Sequence, residues 1–167
     1  MANKIAAPSK IQSTGYWLMK SEPETYSIDQ LKKDKKTLWT GVRNYQARNF
    51  MMHSMVPGDQ VLFYHSNAAP AGVVGIAKIS QVHLPDPTAL EPHSKYFDPK
   101  ANPDRPIWFC AEVSYVGHLT EMVPLSELRS HPALKEMLLL RKGQRLSILP
   151  VLKKEFNAIV EMGSGCR

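Results

Sequence analysis

The segment Gln60-Val61-Leu62-Phe63-Tyr64-His65 has the clearest strand pattern in the chain. Three of its apolar residues are consecutive, and such a run predicts a β-strand that is buried on both faces. The Pro57-Gly58 pair before it predicts a tight turn, and the small and polar residues 66–70 predict a loop after it. A second, longer strand is expected from Gly72 to Val82. The middle of the sequence therefore predicts two strands separated by a short loop.

Shorter elements are expected on both sides of these strands. An apolar strand begins at Tyr16 and ends before Pro23, because proline cannot donate a hydrogen bond to a sheet. Ser27 and Gln30 have the spacing of a capping box and predict a brief helix that ends in the lysine-rich run 32–36. The remaining predicted elements are a helix from Tyr45 to about His53 with Asn44 as its N-cap, a strand at 108–116, a helical region at 125–140 interrupted at His131-Pro132, a strand at 146–151, and a helix at 153–162 closed by Gly163.

These elements predict the fold class. Residues 85–106 contain six of the thirteen prolines, so this segment is expected to be an extended connection within the domain. At least five strands without regular βαβ spacing, together with three or four short helices, predict the α+β class. The sheet is expected to be mixed and strongly curved, with closure into a small barrel as one alternative. One domain is expected over residues 15–163, between a flexible tail at 1–14 and a short tail at 164–167.

Composition excludes several classes of protein. The 167 residues suffice for one domain, and a content of 43% hydrophobic and 22% charged residues is typical of a globular chain. No apolar run approaches the ~20 residues that span a bilayer, and the N-terminus lacks an apolar h-region. The two cysteines, Cys110 and Cys166, cannot form a disulfide framework. We therefore expect an intracellular protein without a membrane partner, cytoplasmic, or nuclear if the source is eukaryotic.

The positive net charge gives a weak indication of the binding partner. The formal net charge of +6 is concentrated at the two ends of the sequence, with +4 over residues 1–60 and +2 over residues 108–167. A basic face attracts phosphates and speeds association with nucleic acid. The alternative is that this charge only keeps the protein in solution.

Familiar catalytic motifs are absent from the sequence. It contains no GxSxG, no HExxH and no glycine-rich phosphate loop, and no two of its six histidines lie three or four residues apart. Cys110 lies within an apolar strand pattern and is expected to be an inert packing residue. We therefore expect a protein without catalytic residues, metal or cofactor. The alternative is an enzyme that acts on a nucleotide or modified nucleobase, with Glu22 or His65 as acid/base.

Polar and aromatic residues are concentrated in three stretches, at 20–23, 39–49 and 64–67. Trp39 stands close to Gly41, an arrangement that offers a flat apolar face with room for a ligand. Arginine and asparagine side chains match phosphates and base edges, and an aromatic face stacks a base at ~1–3 kcal/mol. The structural alternative makes these residues ordinary parts of the fold: Trp39 and Tyr45 as core, Asn44 as only a helix cap, and Arg43 and Arg48 in surface ion pairs.

Six strings, taken in this order, resemble the EVE-domain family over about residues 16–163. They are YWLMKSEP (16–23), WTGVRNYQARN (39–49), PGD (57–59), YHSN (64–67), GVVGIA (72–77) and RLSILPV (145–151). The resemblance implies a PUA-like fold, a mixed and strongly curved, nearly closed β-barrel flanked by short helices. One departure is Met51-Met52-His53, where relatives often have a more basic helix end, and it weakens the case for a phosphate contact from this helix.

The resemblance further implies a function. EVE domains are similar to YTH and other PUA-like modules that bind RNA or modified bases, so the expected partner is DNA or RNA carrying a modified base. A methylated or hydroxymethylated cytosine, flipped out of its stack, would enter an aromatic pocket walled by Trp39. The residues expected to bind the ligand are Trp39, Gly41, Arg43, Asn44, Tyr45, Arg48, Lys20, Ser21, Glu22, Pro23, Tyr64, His65, Ser66, Asn67 and Ser147.

Several of these residues carry an expected role. Glu22 would accept a hydrogen bond from an exocyclic amine, or would pair with Arg43 and hold the 39–44 segment. The base edge would be contacted by Asn44, Ser66 and Asn67. Arg43 and Arg48 would contact a phosphate or fix the loop. The backbone of the nucleic acid would be attracted by the lysines Lys20, Lys32, Lys33, Lys35 and Lys36. Core positions are expected for Tyr64 and Trp108, which are the alternative walls, and for the satisfied hydroxyl of Ser147. A third class of function is a protein-interaction module that uses the proline-rich segment 85–106.

Overall fold

The structure, a computed structural model, describes residues 13–165. Most of the expected N-terminal tail, the end of the expected C-terminal tail and Cys166 lie outside the described residues. In the part of the chain that is described, no helix has the length and apolarity needed to cross a lipid bilayer.

Within residues 13–165, six strands form one mixed sheet. Their bounds are β1 Tyr16–Ser21, β2 Lys36–Leu38, β3 Gln60–His65, β4 Gly72–Pro85, β5 Phe109–Pro124 and β6 Ile148–Pro150. The strand order is β2-β5-β4-β3-β1-β6; β1 and β3 run parallel, and all other neighbours are antiparallel. The α+β class and the mixed sheet are confirmed. The sheet is not closed, because three-residue strands form its two edges and do not pair with each other, so the expected barrel describes it only approximately.

The helices are short, and two of them, α1 and α2, begin at caps that the sequence predicts. Their bounds are α1 Ile28–Asp34, α2 Tyr45–Asn49, α3 Leu125–Ser130 and α4 Lys153–Met162, with a π-helical turn at Phe50–Ser54 and 3₁₀ turns at Pro87–Leu90, Pro132–Leu134 and Leu138–Leu140. The Ser27 side chain accepts a hydrogen bond from the Gln30 N–H, and Asn44 Oδ1 accepts one from the Ala47 N–H at 3.0 Å. Both expected N-caps are therefore confirmed.

The central strand β3 separates two hydrophobic clusters. Val61 and Phe63 belong to the cluster that also contains Trp39, whereas Leu62 and Tyr64 belong to the cluster that packs under α3 and α4. The expectation that β3 is buried on both faces is confirmed. Full burial of each such side chain contributes ~1.5–3 kcal/mol to the free energy of folding. The strand therefore holds the neighbouring loops in fixed positions.

The proline-rich segment between β4 and β5 folds back onto the domain. The Asp86 N–H donates to the Trp108 carbonyl at 2.9 Å, so the two ends of the segment meet. Within it, the Asp98 N–H donates to the Ala89 carbonyl at 3.0 Å, and Ala89 is buried. Residues 86–108 thus form the extended connection that the prolines predict, and they pack against the segment that follows β2.

Candidate nucleic-acid site

A cavity of about 440 Å³ opens between the end of β1, the segment after β2 and the 86–108 connection. Its volume lies in the ~300–1,000 Å³ range of small-molecule sites. The lining residues come from the end of β1 and the residues that follow it, from β2 and the segment after it, from the 86–108 connection, and from the residue before β6: Lys20, Ser21, Glu22, Thr25, Tyr26, Thr37, Leu38, Trp39, Thr40, Gly41, Val42, Arg43, Asn44, Lys95, Tyr96 and Ser147.

Trp39 is both a core residue and a wall of this cavity. The residue is only 8% exposed, and its ring packs edge-on against Phe63 with centroids 5.6 Å apart. The Trp39 N–H donates to the Ala111 carbonyl at 2.8 Å and fixes the residue beside β5. The expected hollow beside the indole is present, while most of the ring is enclosed.

Gly41 brings the 86–108 connection close to Trp39. Its φ of +82° lies in the left-handed region, and a Cβ at this position would lie 2.7 Å from two ring carbons of Tyr96. The Gly41 N–H donates to Asp86 Oδ2 at 2.8 Å. Glycine is required here because the Tyr96 ring occupies the space of a side chain.

Arg43 holds the connection in place. Its guanidinium donates to the Tyr96 carbonyl from Nε (3.1 Å) and Nη2 (2.7 Å), to Asp86 and the Val42 carbonyl from Nη1, and to Thr88 Oγ1 from Nη2. A guanidinium has five N–H donors, and these five contacts use all of them. Of the two roles expected for Arg43, the geometry supports fixing the loop, since no donor remains for a phosphate.

Asp86 is the buried partner of Arg43. Burial acts to raise the pKa of its carboxyl group, but hydrogen bonds from Thr88, the Gly41 N–H and Arg43 outweigh this effect and hold the pKa below its usual value. The carboxylate therefore remains charged beside the guanidinium at 3.0 Å. Since Arg43 pairs with Asp86, the expected pairing of Arg43 with Glu22 is wrong.

Glu22 faces the cavity from the end of β1. One of its carboxylate oxygens, Oε1, accepts a hydrogen bond from Asn67 Nδ2 at 2.7 Å. Asn67 and Ser66 do not line the cavity, so the structure does not bring them to a base edge there. Asn44 does line it, but its Oδ1 caps α2, which leaves the amide nitrogen as the group it can offer.

Basic and hydroxyl groups complete the cavity. Lys20 and Lys95 line it, and burial lowers the pKa of the Lys20 amine. The ammonium of Lys95 lies 4.9 Å from the centre of the Tyr96 ring. Ser147 is half-buried and lines the cavity, so the expected core position of its hydroxyl is wrong. Tyr26 donates to Asp34 Oδ2 at 2.7 Å, and burial together with this carboxylate raises its pKa to about 12.

Besides Ser66 and Asn67, five expected site residues lie away from the lining, and four of them are Pro23, Tyr45, Tyr64 and His65. Pro23 follows β1 outside it, and Tyr64 is buried in the cluster on the opposite face of the sheet, as expected for a core aromatic. His65 Nε2 accepts a hydrogen bond from the Ile28 N–H at 3.2 Å, and burial lowers the pKa of its imidazole. Tyr45 is 60% exposed, so its alternative assignment to the core is wrong.

Arg48 also lies outside the lining and forms no ion pair with any residue between 13 and 165. Its guanidinium donates to the Ile107 carbonyl at 2.9 Å and to Asn49 Oδ1. The lysines at 32, 33, 35 and 36 are exposed, as a steering role would require, and Lys36 lies 3.5 Å from Glu112. Cys110 is fully buried, and burial with nearby Asp86 raises its pKa to about 12, which keeps the thiol protonated.

Eight lining residues were not among the predicted site residues: Thr25, Tyr26, Thr37, Leu38, Thr40, Val42, Lys95 and Tyr96. Of these, Tyr96 and Lys95 are the most distant in sequence from the predicted residues around Trp39. Both lie in the proline-rich segment, where no local pattern shows which residue turns back toward Trp39. The signal that was present is Gly41, because a glycine next to an aromatic wall indicates a close approach. It could not show that the approaching group is Tyr96, 55 positions further along the chain.

The arrangement suits a planar ligand that carries both phosphate and amine groups. The walls include two aromatic rings, the two lysines can attract an anion, and the Glu22 carboxylate can accept a hydrogen bond from an amine. Arg43 contributes rigidity, because its bonds join the two segments that carry the rings.

Comparison with known proteins places the chain in a family. A model of the EVE domain matches residues 15–162. Thymocyte nuclear protein 1 from Homo sapiens is 39% identical over 168 residues, which cover 89% of this chain and 74% of that protein. The crystal structure of a Pseudomonas syringae protein is 42% identical, with a TM-score of 0.84, and covers 89% of this chain and 99% of that one.

A further structure was determined with a ligand. The human THYN1 protein in complex with DNA containing 5-methylcytosine is 37% identical, has a TM-score of 0.84, and covers 91% of this chain and 99% of that chain. The family resemblance of the six sequence strings is confirmed by these comparisons: the chain belongs to the EVE-domain family.

Proposed function

We propose that this protein binds DNA that carries a modified cytosine and holds the modified base in the cavity beside Trp39. The observation that carries the proposal is the 440 Å³ cavity with Trp39 and Tyr96 in its lining. The human THYN1 protein in complex with DNA containing 5-methylcytosine supports it, because that protein shares 37% of its residues with this chain.

The free-energy cost of flipping a base and the gain from binding it in the cavity are similar in size. Removing a base from its stack costs a few kcal/mol, and stacking on an aromatic ring returns ~1–3 kcal/mol. The Glu22 carboxylate accepts a hydrogen bond from the exocyclic amine, and Lys20 and Lys95 attract the phosphates. Burial of one methyl group contributes ~0.8 kcal/mol, so a preference of about fourfold for 5-methylcytosine over cytosine is expected from the methyl group alone.

The test is a binding titration with labelled oligonucleotides that differ only in one methyl group. We expect the natural protein to bind the 5-methylcytosine strand about fourfold more tightly than the cytosine strand. Equal affinities for the two would contradict the proposal. A matched RNA strand, and single-stranded and duplex forms of the DNA, decide which nucleic acid is preferred.

Two tryptophan variants show whether the cavity is responsible. Trp39→Phe shortens a cavity wall and is expected to remove the preference for the methylated strand. Trp17→Phe is the matched control, because Trp17 is fully buried in the same hydrophobic cluster and does not line the cavity. Thermal melting of both variants separates a loss of binding from a loss of folding. A preference that survives in Trp39→Phe would remove Trp39 from the proposal.

We propose further that binding occurs without chemical turnover. Of the two acid/base candidates, only Glu22 lines the cavity, and the Nε2 atom of His65 is occupied by the Ile28 N–H. Mass spectrometry of the nucleosides after prolonged incubation should recover the modified base unchanged. A new nucleoside that is lost in Glu22→Gln would support the enzyme alternative.

A further inference from the structure

Tyr45 is an exposed aromatic residue beside the cavity that the proposed base pocket does not use. It is 60% exposed, the largest exposure among the large hydrophobic residues of the described chain. Its ring stacks on Trp108 with centroids 5.0 Å apart and 21° between the planes. The Trp108 indole is itself fixed, because its Nε1 donates to Asp98 Oδ2 at 2.8 Å. Tyr45 therefore presents an aromatic ring on a rigid support.

Three distances show which side of the Tyr45 ring is open. The Arg48 guanidinium lies 4.7 Å from the Tyr45 ring and 5.8 Å from the Trp108 ring, and the two rings are 5.0 Å apart. Groups on opposite faces of Tyr45 would be separated by nearly the sum of their distances to it. The observed triangle is almost equilateral, so Arg48 and Trp108 occupy adjacent sides. The face of Tyr45 opposite Trp108 is covered by neither, in agreement with its exposure.

The ring is also held in position before any ligand arrives. Tyr45 is the first residue of α2, and the preceding Asn44 caps that helix. The Arg48 guanidinium is fixed by the Ile107 carbonyl at 2.9 Å and by Asn49. A ring that is already ordered loses little conformational freedom when it binds.

This surface continues the cavity. Asn44 and Arg43 line the cavity, and Tyr45 is the next residue in the chain. The Arg43 guanidinium lies 5.1 Å from the Trp108 ring on which Tyr45 stacks. One layer of aromatic and guanidinium groups thus runs from the cavity to Tyr45, and the arginine charges match a polyanion.

We propose that the open face of Tyr45 is a second binding site, which stacks the nucleobase adjacent to the one in the cavity. The inference rests on the proposed function and specifies its substrate class: a DNA segment that is unpaired over at least two nucleotides, because a neighbouring base that stays in a duplex cannot reach this face. The site takes any base, since stacking does not read base edges.

The test measures how one substitution, Tyr45→Ala, changes the affinity for ligands of different length. The probes are the mononucleotide of 5-methylcytosine, two trinucleotides with 5-methylcytosine or cytosine at the centre, and the methylated trinucleotide with abasic flanking positions. We expect Tyr45→Ala to weaken binding of the trinucleotide at least about fivefold, the lower end of the ~1–3 kcal/mol that one stacked base contributes. The same variant should leave the affinities for the mononucleotide and the abasic trinucleotide unchanged.

Two controls accompany this experiment. Tyr45→Phe keeps the ring and is expected to keep the natural affinity for the trinucleotide. Val116→Ala removes another exposed apolar side chain, on β5, and should change no affinity.

The outcomes separate this inference from the proposed function. If the natural protein prefers the methylated trinucleotide and Tyr45→Ala binds it equally well, the second site is wrong and the proposed function stands. If Tyr45→Ala weakens the mononucleotide as much as the trinucleotide, the second site is also wrong. If the natural protein shows no preference for the methylated base, the proposed function itself fails.

Discussion

Gly41 is constrained both by its backbone conformation and by its contact with Tyr96, and substitution by alanine tests the two together. Gly41→Ala forces a β-carbon to within 2.7 Å of the Tyr96 ring and places alanine at a φ of +82°. The backbone effect alone costs ~1–2 kcal/mol. We expect a larger loss of unfolding free energy than this, measured by urea denaturation, together with weaker binding of the methylated strand.

Gly143→Ala isolates the backbone effect. Gly143 has a similar φ of +78°, and a β-carbon there would meet no atom within 4 Å. The difference between the two variants therefore reports the contact with Tyr96. Tyr96→Ala in the Gly41→Ala background should recover part of that difference. Equal losses in Gly41→Ala and Gly143→Ala would show that the close approach of Tyr96 has no energetic consequence.

Arg43 is expected to be a positioning residue rather than a phosphate contact. Arg43→Met leaves the buried Asp86 carboxylate without its cationic partner, and such a loss costs about 3–5 kcal/mol. Arg43→Lys retains the charge but cannot reach Tyr96, Asp86 and Thr88 together, so about 1–3 kcal/mol should still be lost. Urea denaturation measures both values.

The control and the binding data separate stability from direct contact. Arg145→Met changes an exposed arginine and should alter the unfolding free energy by no more than ~0.5 kcal/mol. The salt dependence of DNA binding should have the same slope in Arg43→Lys as in the natural protein. A slope that falls in Arg43→Met, with stability unchanged, would instead assign Arg43 to a phosphate.

At the scale of elements, the attachment of the 86–108 connection should depend on pH through Asp86. The folded pKa of this carboxyl group lies below its usual value of 3.8. Its contribution to stability is therefore full above that value and is lost as the pH falls through the folded pKa. The natural protein should exceed Asp86→Asn in unfolding free energy by a constant amount from neutral pH down to about 4.

The same comparison in acid completes this test. Below the usual carboxyl pKa, the difference between the natural protein and Asp86→Asn should shrink, because Asp86 becomes protonated in both the folded and unfolded states. Using the difference removes the effect of the other carboxyl groups, which titrate in both proteins. A difference that stays constant into strong acid would show that the charge of Asp86 does not hold the connection.

The elements that the sequence predicted best are those fixed by local signals. β3 spans the expected Gln60–His65, and α4 spans the expected 153–162. The strand β2 was not predicted, because Lys36–Leu38 shows no strand pattern and becomes a strand only by pairing with β5. The strands β4 and β5 are longer than expected for the same reason: each extends along the other, and this pairing is not local. The helical region at 125–140 is in fact α3 followed by two 3₁₀ turns.

The candidate site, too, could be predicted only where its residues are close together in the sequence. Trp39, Gly41 and Asn44 lie in one continuous string, so the sequence could place them together. Tyr96 could not be found, since its place in the cavity depends on bonds from Arg43 to a distant loop. The prediction that Ser66 and Asn67 contact the base edge rests on their residue type and on the family string that contains them, and the path of their loop places them outside the lining.

At the scale of the whole molecule, the net charge of +6 predicts that DNA binding weakens with salt. Lys20→Gln and Lys95→Gln should each weaken methylated and unmethylated strands equally. Each should also lower the slope of log affinity against log salt by about 0.7, the value for one phosphate of a single strand. Lys153→Gln on α4, which packs on the other face of the sheet, is the control with an unchanged slope.

An NMR experiment on the bound base shows whether that base occupies the cavity beside Trp39. A DNA strand whose 5-methylcytosine carries a ¹³C-labelled methyl group is added to the protein, and nuclear Overhauser effects from that methyl group are recorded. We expect contacts between the methyl group and protons of residues that line the cavity, Trp39 or Tyr96 among them. Contacts confined to residues elsewhere on the surface, in a complex that still prefers the methylated strand, would contradict binding of the base in this cavity.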